Sequence, residues 1–226
     1  MNEAGLAFAE RQLRPEIVRD ARILEVGSFD TTGSVRPHVE SLRPASYIGV
    51  DIVPGPRVDQ LCDVRDLLAT FGSESFDVVI ATELVEHVRD WRSAFQNMKA
   101  VLRAGGMLVI TTRSRDFGYH FGPEDWWRYE SNDMSAITAD FDRTVIDRDP
   151  QAPGVFFSGI KSDRSPTVLE RIALYSMITG ARALDVSDGQ VRWARWTNWR
   201  ILAHRLPRPL RKAGKRAYEV LFRRAP

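Results

Sequence analysis

Runs of apolar residues alternate with amphipathic segments through the first 160 residues of the chain. Seven short runs rich in β-branched and aromatic residues predict strands, at residues 22–26, 46–50, 58–62, 76–82, 106–112, 143–147 and 154–160. Apolar residues at helical spacing predict helices between them, chiefly at residues 31–42, 64–71, 87–102 and 131–141. This alternation predicts an α/β fold, in which a mostly parallel sheet of seven strands carries helices on both faces.

The pattern changes after Lys161, where helical spacing continues without further strand signals. We predict three helices in this part, at residues 165–184, 191–206 and 210–224, with Ser165 and Pro166 as the start signal of the first one. The chain is therefore expected to divide into a sheet domain at residues 1–161 and a helical C-terminal extension at residues 162–226.

The composition of the chain indicates the cellular compartment in which the protein is expected to work. With 226 residues, of which 43% are hydrophobic, the chain is long enough to bury a full core. The single cysteine, Cys62, permits no internal disulfide, and charged residues interrupt the first twenty positions too often for a secretory signal. No run approaches the roughly 20 apolar residues of a membrane span. These features predict a cytoplasmic protein.

Charge is distributed unevenly along the chain. From Val191 onward there are 11 Lys or Arg residues and one acid, whereas the preceding part carries 21 basic and 29 acidic residues. Residues 208–224 have the pattern of a basic amphipathic helix, which predicts contact with an anionic membrane surface or an acidic partner. The alternative is packing on the sheet domain or on a second subunit of a homodimer, and it is favoured for the helix that carries Trp193, Trp196 and Trp199.

The turn after the first strand restricts the ligand. A dinucleotide-binding G-x-G-x-x-G turn that starts at Gly27 would also need glycine at Phe29 and Thr32, and both positions lack it. Close approach of bare backbone to a phosphate requires those glycines. The turn therefore indicates a nucleoside-like cofactor without a phosphate group.

Several stretches resemble the class I S-adenosylmethionine-dependent methyltransferases: "ILEVGSFDTTG", "YIGVDI", "LCDVRDL", "FDVVIATELVEHV" and "LRAGGMLVITT". The resemblance covers about residues 21–160 and implies a Rossmann-like fold and S-adenosylmethionine as the cofactor. It also implies that Asp51 binds the ribose hydroxyls, that Asp63 and Val64 hold the adenine, and that Glu25 and Gly27 lie near the methionine part. The remaining residues that we expect to line the cofactor site are Ser28, Ile52, Thr82 and Glu83.

Glu25, Asp51 and the nearby His87 also have purely structural explanations. Glu25 could form a surface ion pair at a strand end, and Asp51 could cap the turn that follows it. Glu83, Glu86 and His87 begin a predicted helix, where the helix dipole favours acids whatever the function. His87 is therefore expected to be structural. The five motifs in order favour the cofactor site.

The loop after the fifth predicted strand is long and aromatic, which indicates an acceptor site. Aromatic faces beside carboxylates suit a carbohydrate, and the predicted substrate-binding residues are Arg113, Tyr119, Trp126 and Arg128. His120 is the predicted general base, because an acceptor hydroxyl must lose its proton. Asp125 or Glu124 would orient His120 or act in its place, and Trp127 is expected to belong to the core.

The sequence neither requires nor excludes a divalent metal ion as a cofactor. Asp116, His120, Glu124 and Asp125 are donors within one loop, but their spacing matches no metal motif, so no ligands are assigned.

The leading hypothesis is O-methylation of a hydroxyl on a sugar or polysaccharide precursor. The alternatives are a cofactor-binding protein without turnover and a methyltransferase for another small molecule or for nucleic acid. Nucleic acid is disfavoured, because the sheet domain is acidic and lacks the Asn/Asp-Pro-Pro-aromatic signature that resembles amino-methylating enzymes.

Overall fold

The computed structural model describes residues 2–30, 33–120 and 124–197. Its main sheet has seven strands, as predicted, and their order is β3-β2-β1-β4-β5-β8-β7. Five strands, β3, β2, β1, β4 and β5, run parallel to one another, whereas β8 pairs antiparallel with both β5 and β7. Their bounds are β1 Arg22–Val26, β2 Ser46–Asp51, β3 Gln60–Leu61, β4 Phe76–Thr82, β5 Leu102–Arg113, β7 Phe141–Arg148 and β8 Gly154–Lys161.

Helices cover both faces of this sheet because the central strands are apolar on both sides. In β1, Ile23 faces one hydrophobic cluster, whereas Leu24 and Val26 face the other, as the two-residue period of a strand requires. The first cluster contains apolar residues of the first three helices, and the second contains those of the next three. The helices are α1 Glu3–Gln12, α2 Pro15–Val18, α3 Arg36–Ser41, α4 Leu67–Phe71, α5 Trp91–Val101, α6 Ser131–Ile137 and α7 Asp188–Thr197.

The prediction of a helix at residues 165–184 is wrong. This segment instead forms β9 Leu174–Ser176 and β10 Arg182–Ala183, which build a second sheet with β6 Trp127–Arg128 in the order β10-β9-β6. Gly180, with φ of +71°, lies in the turn between β9 and β10.

Long-range hydrogen bonds explain why tertiary structure overrides the helical spacing. The Arg92 guanidinium donates to the carbonyl oxygens of Leu169, Ile172 and Leu184 at 2.6–3.0 Å, so a side chain takes the place of helical N–H donors. Leu169 and Leu174 are buried in the same cluster as the helices that cover the main sheet. The division into domains at residue 161 stays a prediction.

The described part of the chain ends in α7, which overlaps the helix predicted at residues 191–206 but begins three residues earlier, at Asp188. Trp193 and Trp196 on α7 are 70% and 83% exposed. Trp199 and the predicted basic helix at residues 208–224 lie outside the described residues, so membrane, acidic-partner and homodimer contacts stay predictions. In the part of the chain that the structure describes, no helix has the length and apolar character needed to cross a membrane.

Candidate active site

A cavity of about 850 Å³ lies at the carboxyl ends of β1, β2, β4 and β5. Its size is within the range of roughly 300–1,000 Å³ that is usual for ligand sites. All nine residues predicted to bind the cofactor line it: Glu25, Gly27, Ser28, Asp51, Ile52, Asp63, Val64, Thr82 and Glu83. The position agrees with the rule that open parallel sheets bind ligands beyond the carboxyl ends of their strands.

The turn after β1 is fixed to the neighbouring strand. The backbone N–H groups of Gly27 and Ser28 both donate to the Val50 carbonyl, at 2.8 and 3.0 Å. Gly27 has φ of +77°, a conformation that favours glycine, and a Cβ atom there would lie 3.0 Å from Leu84 Cδ1, so the Leu84 side chain would have to shift. The buried Ser28 hydroxyl has no hydrogen-bond partner among the described residues, which leaves it for a ligand.

Glu25 is buried at the cavity wall, at 2% exposure. Burial raises the pKa of its carboxyl group to about 7, and a hydrogen bond from the Tyr47 hydroxyl at 2.7 Å and the charge of Arg36 oppose that rise. Sequence reasoning missed Tyr47. Its position on β2, two residues before the Gly49 that pairs with Glu25, was the available signal.

The carboxylate of Asp51 is held at the end of β2 by backbone donors. Its two oxygens accept from Phe29 N and Val53 N, each at 3.2 Å, and it lines the cavity beside the half-exposed Ile52. This position suits a diol, because a carboxylate can accept hydrogen bonds from two neighbouring hydroxyls.

Asp63 begins the short 3-10 turn at Val64–Asp66 and accepts from Arg65 Nη2 at 2.6 Å. The hydrogen bond from Arg65 lowers the pKa of the Asp63 carboxyl group, so that Asp63 stays ionised within its ion pair with Arg65. The acceptor carboxylates of Asp51 and Asp63, beside the apolar Ile52 and Val64, fit a nucleoside whose ribose hydroxyls and amine donate and whose ring is flat and apolar.

Glu83 occupies the next strand end, where β4 leaves the sheet. It has a positive φ of 53°, which a non-glycine residue adopts at a cost, often at functional sites. Burial raises the pKa of its carboxyl group to about 7, although it forms an ion pair with Arg113 and accepts from Thr111 Oγ1 at 3.2 Å. Arg113 also lies 3.3 Å from the buried Asp149, and it lines the cavity as predicted.

Two histidines meet at the end of the cavity that lies beyond β4 and β5. The rings of His87 and His120 are edge to face with centroids 4.7 Å apart, and both line the cavity. His87 was expected to be structural at a helix start, but it belongs to a 3-10 turn, Val85–His87, and α5 begins only at Trp91. Sequence reasoning therefore missed a cavity residue, together with Leu84 and Arg89 nearby.

His120 has the partner that was predicted for it. Its Nδ1 lies 3.2 Å from Asp125 Oδ2, and the same carboxylate accepts the backbone N–H of His120 at 2.9 Å. Asp125 is fully buried and forms an ion pair with the equally buried Arg128, which lowers the pKa of its carboxyl group. Asp125 thus stays charged behind the imidazole, and the catalytic role of His120 stays a prediction.

The other residues predicted for the acceptor loop do not line the cavity. Arg128 is fully buried, and its guanidinium donates to the carbonyls of Phe117 and Gly118. Trp126 is 7% exposed and lies under the guanidinium of Arg89. The side chain of Glu124 accepts from Arg195 at 2.5 Å, Tyr119 is 8% exposed, and Trp127 is fully buried, as expected of a core residue.

The loop donors considered for a metal, Asp116, His120, Glu124 and Asp125, form no cluster of three or more in the described residues, although His120 and Asp125 are in contact. His120 instead meets Glu86 and His87, and one ligand atom of each lies within 4.8 Å of the others. Glu86 is fully buried and accepts from Thr112 Oγ1 at 2.9 Å through one oxygen. Its other oxygen, Oε1, has no partner in the described part of the chain.

The family model for a methyltransferase domain matches residues 4–144, well over half of the chain. The ubiquinone biosynthesis O-methyltransferase of Parvibaculum lavamentivorans is 35% identical over 66 residues, which cover 29% of this chain and 26% of the relative. The Azorhizobium caulinodans protein of the same name is 30% identical over 118 residues, 46% of this chain and 44% of the relative. The matches span less than half the length of these curated relatives.

Solved structures agree on the fold. The 1,6-didemethyltoxoflavin-N1-methyltransferase of Burkholderia thailandensis, solved with S-adenosylhomocysteine, superposes with a TM-score of 0.56 at 18% identity, over 72% of this chain and 80% of that one. Identity at this level carries the fold and not the substrate. With the matching family model, the sheet order and the lining of the cavity, the chain belongs to the class I S-adenosylmethionine-dependent methyltransferases.

Proposed function

We propose that this methyltransferase methylates a hydroxyl group of a sugar or polysaccharide precursor. The observation that carries the proposal is the position of His120, which lines the cavity at the end away from Asp51 and has the charged Asp125 behind its ring. An alcohol is a poor nucleophile until it loses its proton, and an imidazole supported by a carboxylate is a suitable acceptor for that proton.

The two ends of the cavity have different roles in this proposal, since one binds the cofactor and the other binds the acceptor. S-adenosylmethionine, when bound, supplies an electrophilic methyl group on its sulfonium sulfur. Asp51 would bind the ribose, and Asp63 and Val64 the adenine, while the turn at Gly27 leaves room for the rest of the cofactor. The chain mainly aligns the acceptor and excludes water, since the leaving group is already activated.

At the acceptor end, we assign to the imidazole of His120 the task of drawing the proton from the hydroxyl. Burial lowers the pKa of the neighbouring His87, so that ring stays neutral and does not add positive charge beside His120. The carboxylate of Asp125 stabilises the imidazolium of His120 that proton transfer produces.

Polar groups around this end favour a sugar over a long apolar acceptor. His120 and Arg113 line the same cavity on either side of Phe117, and their ring and guanidinium nitrogens provide hydrogen-bonding groups for hydroxyls. Phe117 offers an aromatic face for the C–H surface of a sugar ring. A ubiquinone precursor is the second candidate, and the names of the curated relatives favour it.

A methyl-transfer assay with labelled S-adenosylmethionine and separate panels of sugars and phenols tests the proposal. We expect transfer to a sugar hydroxyl. The His120→Ala variant should turn over roughly 10²–10⁴-fold more slowly, which is the usual contribution of acid–base catalysis, with unchanged affinity for S-adenosylhomocysteine.

His38→Gln is the matched control, because His38 lies outside the cavity and contacts the Leu13 carbonyl. Full turnover in His120→Ala would remove its role. Transfer to phenols alone would select the second candidate. Cofactor binding with no transfer to either panel would favour a binding protein without turnover.

A further inference from the structure

The buried carboxylate of Glu86 has one oxygen that nothing in the described residues satisfies. Oε2 accepts from Thr112, but Oε1 is buried and has no hydrogen-bond partner. An unpaired polar atom in the interior is costly, and such an atom in a native protein calls for an explanation. A bound cation beside Glu86 would supply the missing partner.

The two histidines next to Glu86 are oriented from behind. His87 Nδ1 lies 2.5 Å from the Glu124 carbonyl and must donate to it, which leaves the lone pair of Nε2 without a proton. Asp125 Oδ2 lies 3.2 Å from Nδ1 of His120, an ion-pair distance without hydrogen-bond geometry. Histidines that bind metals usually make this kind of outer contact, to a backbone carbonyl or a carboxylate.

We propose that Glu86, His87 and His120 form a binding site for a divalent first-row transition metal ion. Their ligand atoms lie within 4.8 Å of one another, and bonds of about 2.0–2.2 Å would need the donors to be no more than about 4.4 Å apart. Small side-chain rotations close that difference. Two imidazoles and one carboxylate favour Mn²⁺, Fe²⁺ or Zn²⁺ over Mg²⁺, which prefers oxygen donors.

The site opens toward the acceptor. His87 and His120 line the cavity, whereas Glu86 lies behind them in the core, so the remaining coordination positions face the space where we place the hydroxyl. An ion there would bind the hydroxyl and lower its pKa, with the proton released to water. With the ion bound, His120 would be one of its ligands, so the general-base role assigned to His120 above belongs to the chain without metal. This use of the site rests on the proposed function, but the binding of the ion does not.

Titration of the purified chain with Mn²⁺ tests the site, with the free ion followed by electron paramagnetic resonance. We expect one ion per chain. Glu86→Gln keeps the shape of the buried side chain and removes its charge, and His87→Gln removes one imidazole, so each variant should bind Mn²⁺ at least about 10-fold more weakly. His38→Gln, outside the cluster, should bind as the parent does.

Thermal unfolding with and without Mn²⁺ separates loss of the site from loss of the fold. The ion should raise the unfolding temperature of the parent and of His38→Gln, and raise it much less in His87→Gln. Absence of stoichiometric binding by the parent, or parental affinity in both cluster variants, would overturn the proposal. Methyl transfer that survives full removal of metal would overturn the use of the ion and leave the proposed function standing.

Discussion

The two ends of the cavity differ in how they are built. The cofactor end is made of strand termini, where Asp51 ends β2 and Gly27 and Glu83 directly follow β1 and β4. The acceptor end is made of a loop whose charged and aromatic residues are largely turned into the core, as Arg128 and Trp127 are. One end is placed by the sheet, and the other by contacts between residues distant in sequence.

The charged residues at the two ends also differ in their expected contribution to the stability of the fold. At the cofactor end, the acids Asp51 and Asp63 face the cavity, and their contacts are to nearby backbone or to Arg65. At the acceptor end, the Asp125–Arg128 pair is fully buried. A change at the first end should therefore affect mainly binding, whereas a change at the second should affect mainly stability.

Arg128→Met has the largest expected effect on stability. It leaves Asp125 buried without its cation, and breaking a buried pair in this way typically costs about 3–5 kcal/mol in the free energy of unfolding. Chemical denaturation measures it. Glu40→Gln, which breaks the exposed Arg36–Glu40 pair, should change the free energy of unfolding by less than about 1 kcal/mol. Similar losses in the two variants would contradict the difference between a buried and an exposed pair.

Tyr47→Phe has a smaller effect, and that effect depends on pH. The pKa of Glu25 is about 7 in the folded chain against an ordinary 4.5, so the folded chain holds an extra proton between these values and loses stability as the pH rises through them. Removing the Tyr47 hydrogen bond raises this pKa further. Besides Tyr47, the charged groups that act on Glu25 are Arg36, Asp30 and Arg57.

The expected loss in the free energy of unfolding is about 2 kcal/mol at pH 8, where the bond is to a charged group, and about 1 kcal/mol at pH 5. Denaturation of parent and variant at both pH values measures it. Tyr175→Phe, whose ring contacts Arg115 away from the cavity, is the control. The same loss for Tyr47→Phe at both pH values would show that Glu25 does not titrate in this window.

The sequence predicted the sheet and the cofactor end for one physical reason. A buried strand has a strong local pattern, and a polar residue placed directly after it, such as Asp51, must lie at the edge where the other strands end. The helix expected at residues 165–184 failed because the donors for its carbonyls come from Arg92, far away in sequence. No local pattern contains that contact.

The acceptor end shows the same limit. His87 was assigned to structure because it was placed at a helix start, and its contact with the Glu124 carbonyl, 37 positions away, leaves no signal in the local pattern. Trp126 and Arg128 were assigned to substrate because a loop pattern does not say which side chains turn inward. Trp126 N donates to the Glu86 carbonyl and its own carbonyl accepts from Met177 N, and these two contacts fix the loop against the core.

The central claim is that the strand-end acids hold the cofactor independently of the acceptor end. Titration calorimetry with S-adenosylhomocysteine tests it on parent, Asp51→Ala, His120→Ala and the control Asp66→Ala, whose side chain is outside the cavity. We expect Asp51→Ala to bind at least about 30-fold more weakly, about 2 kcal/mol, because charge-assisted hydrogen bonds to the ribose are lost. His120→Ala and Asp66→Ala should bind as the parent does. Parental affinity in Asp51→Ala would contradict the account.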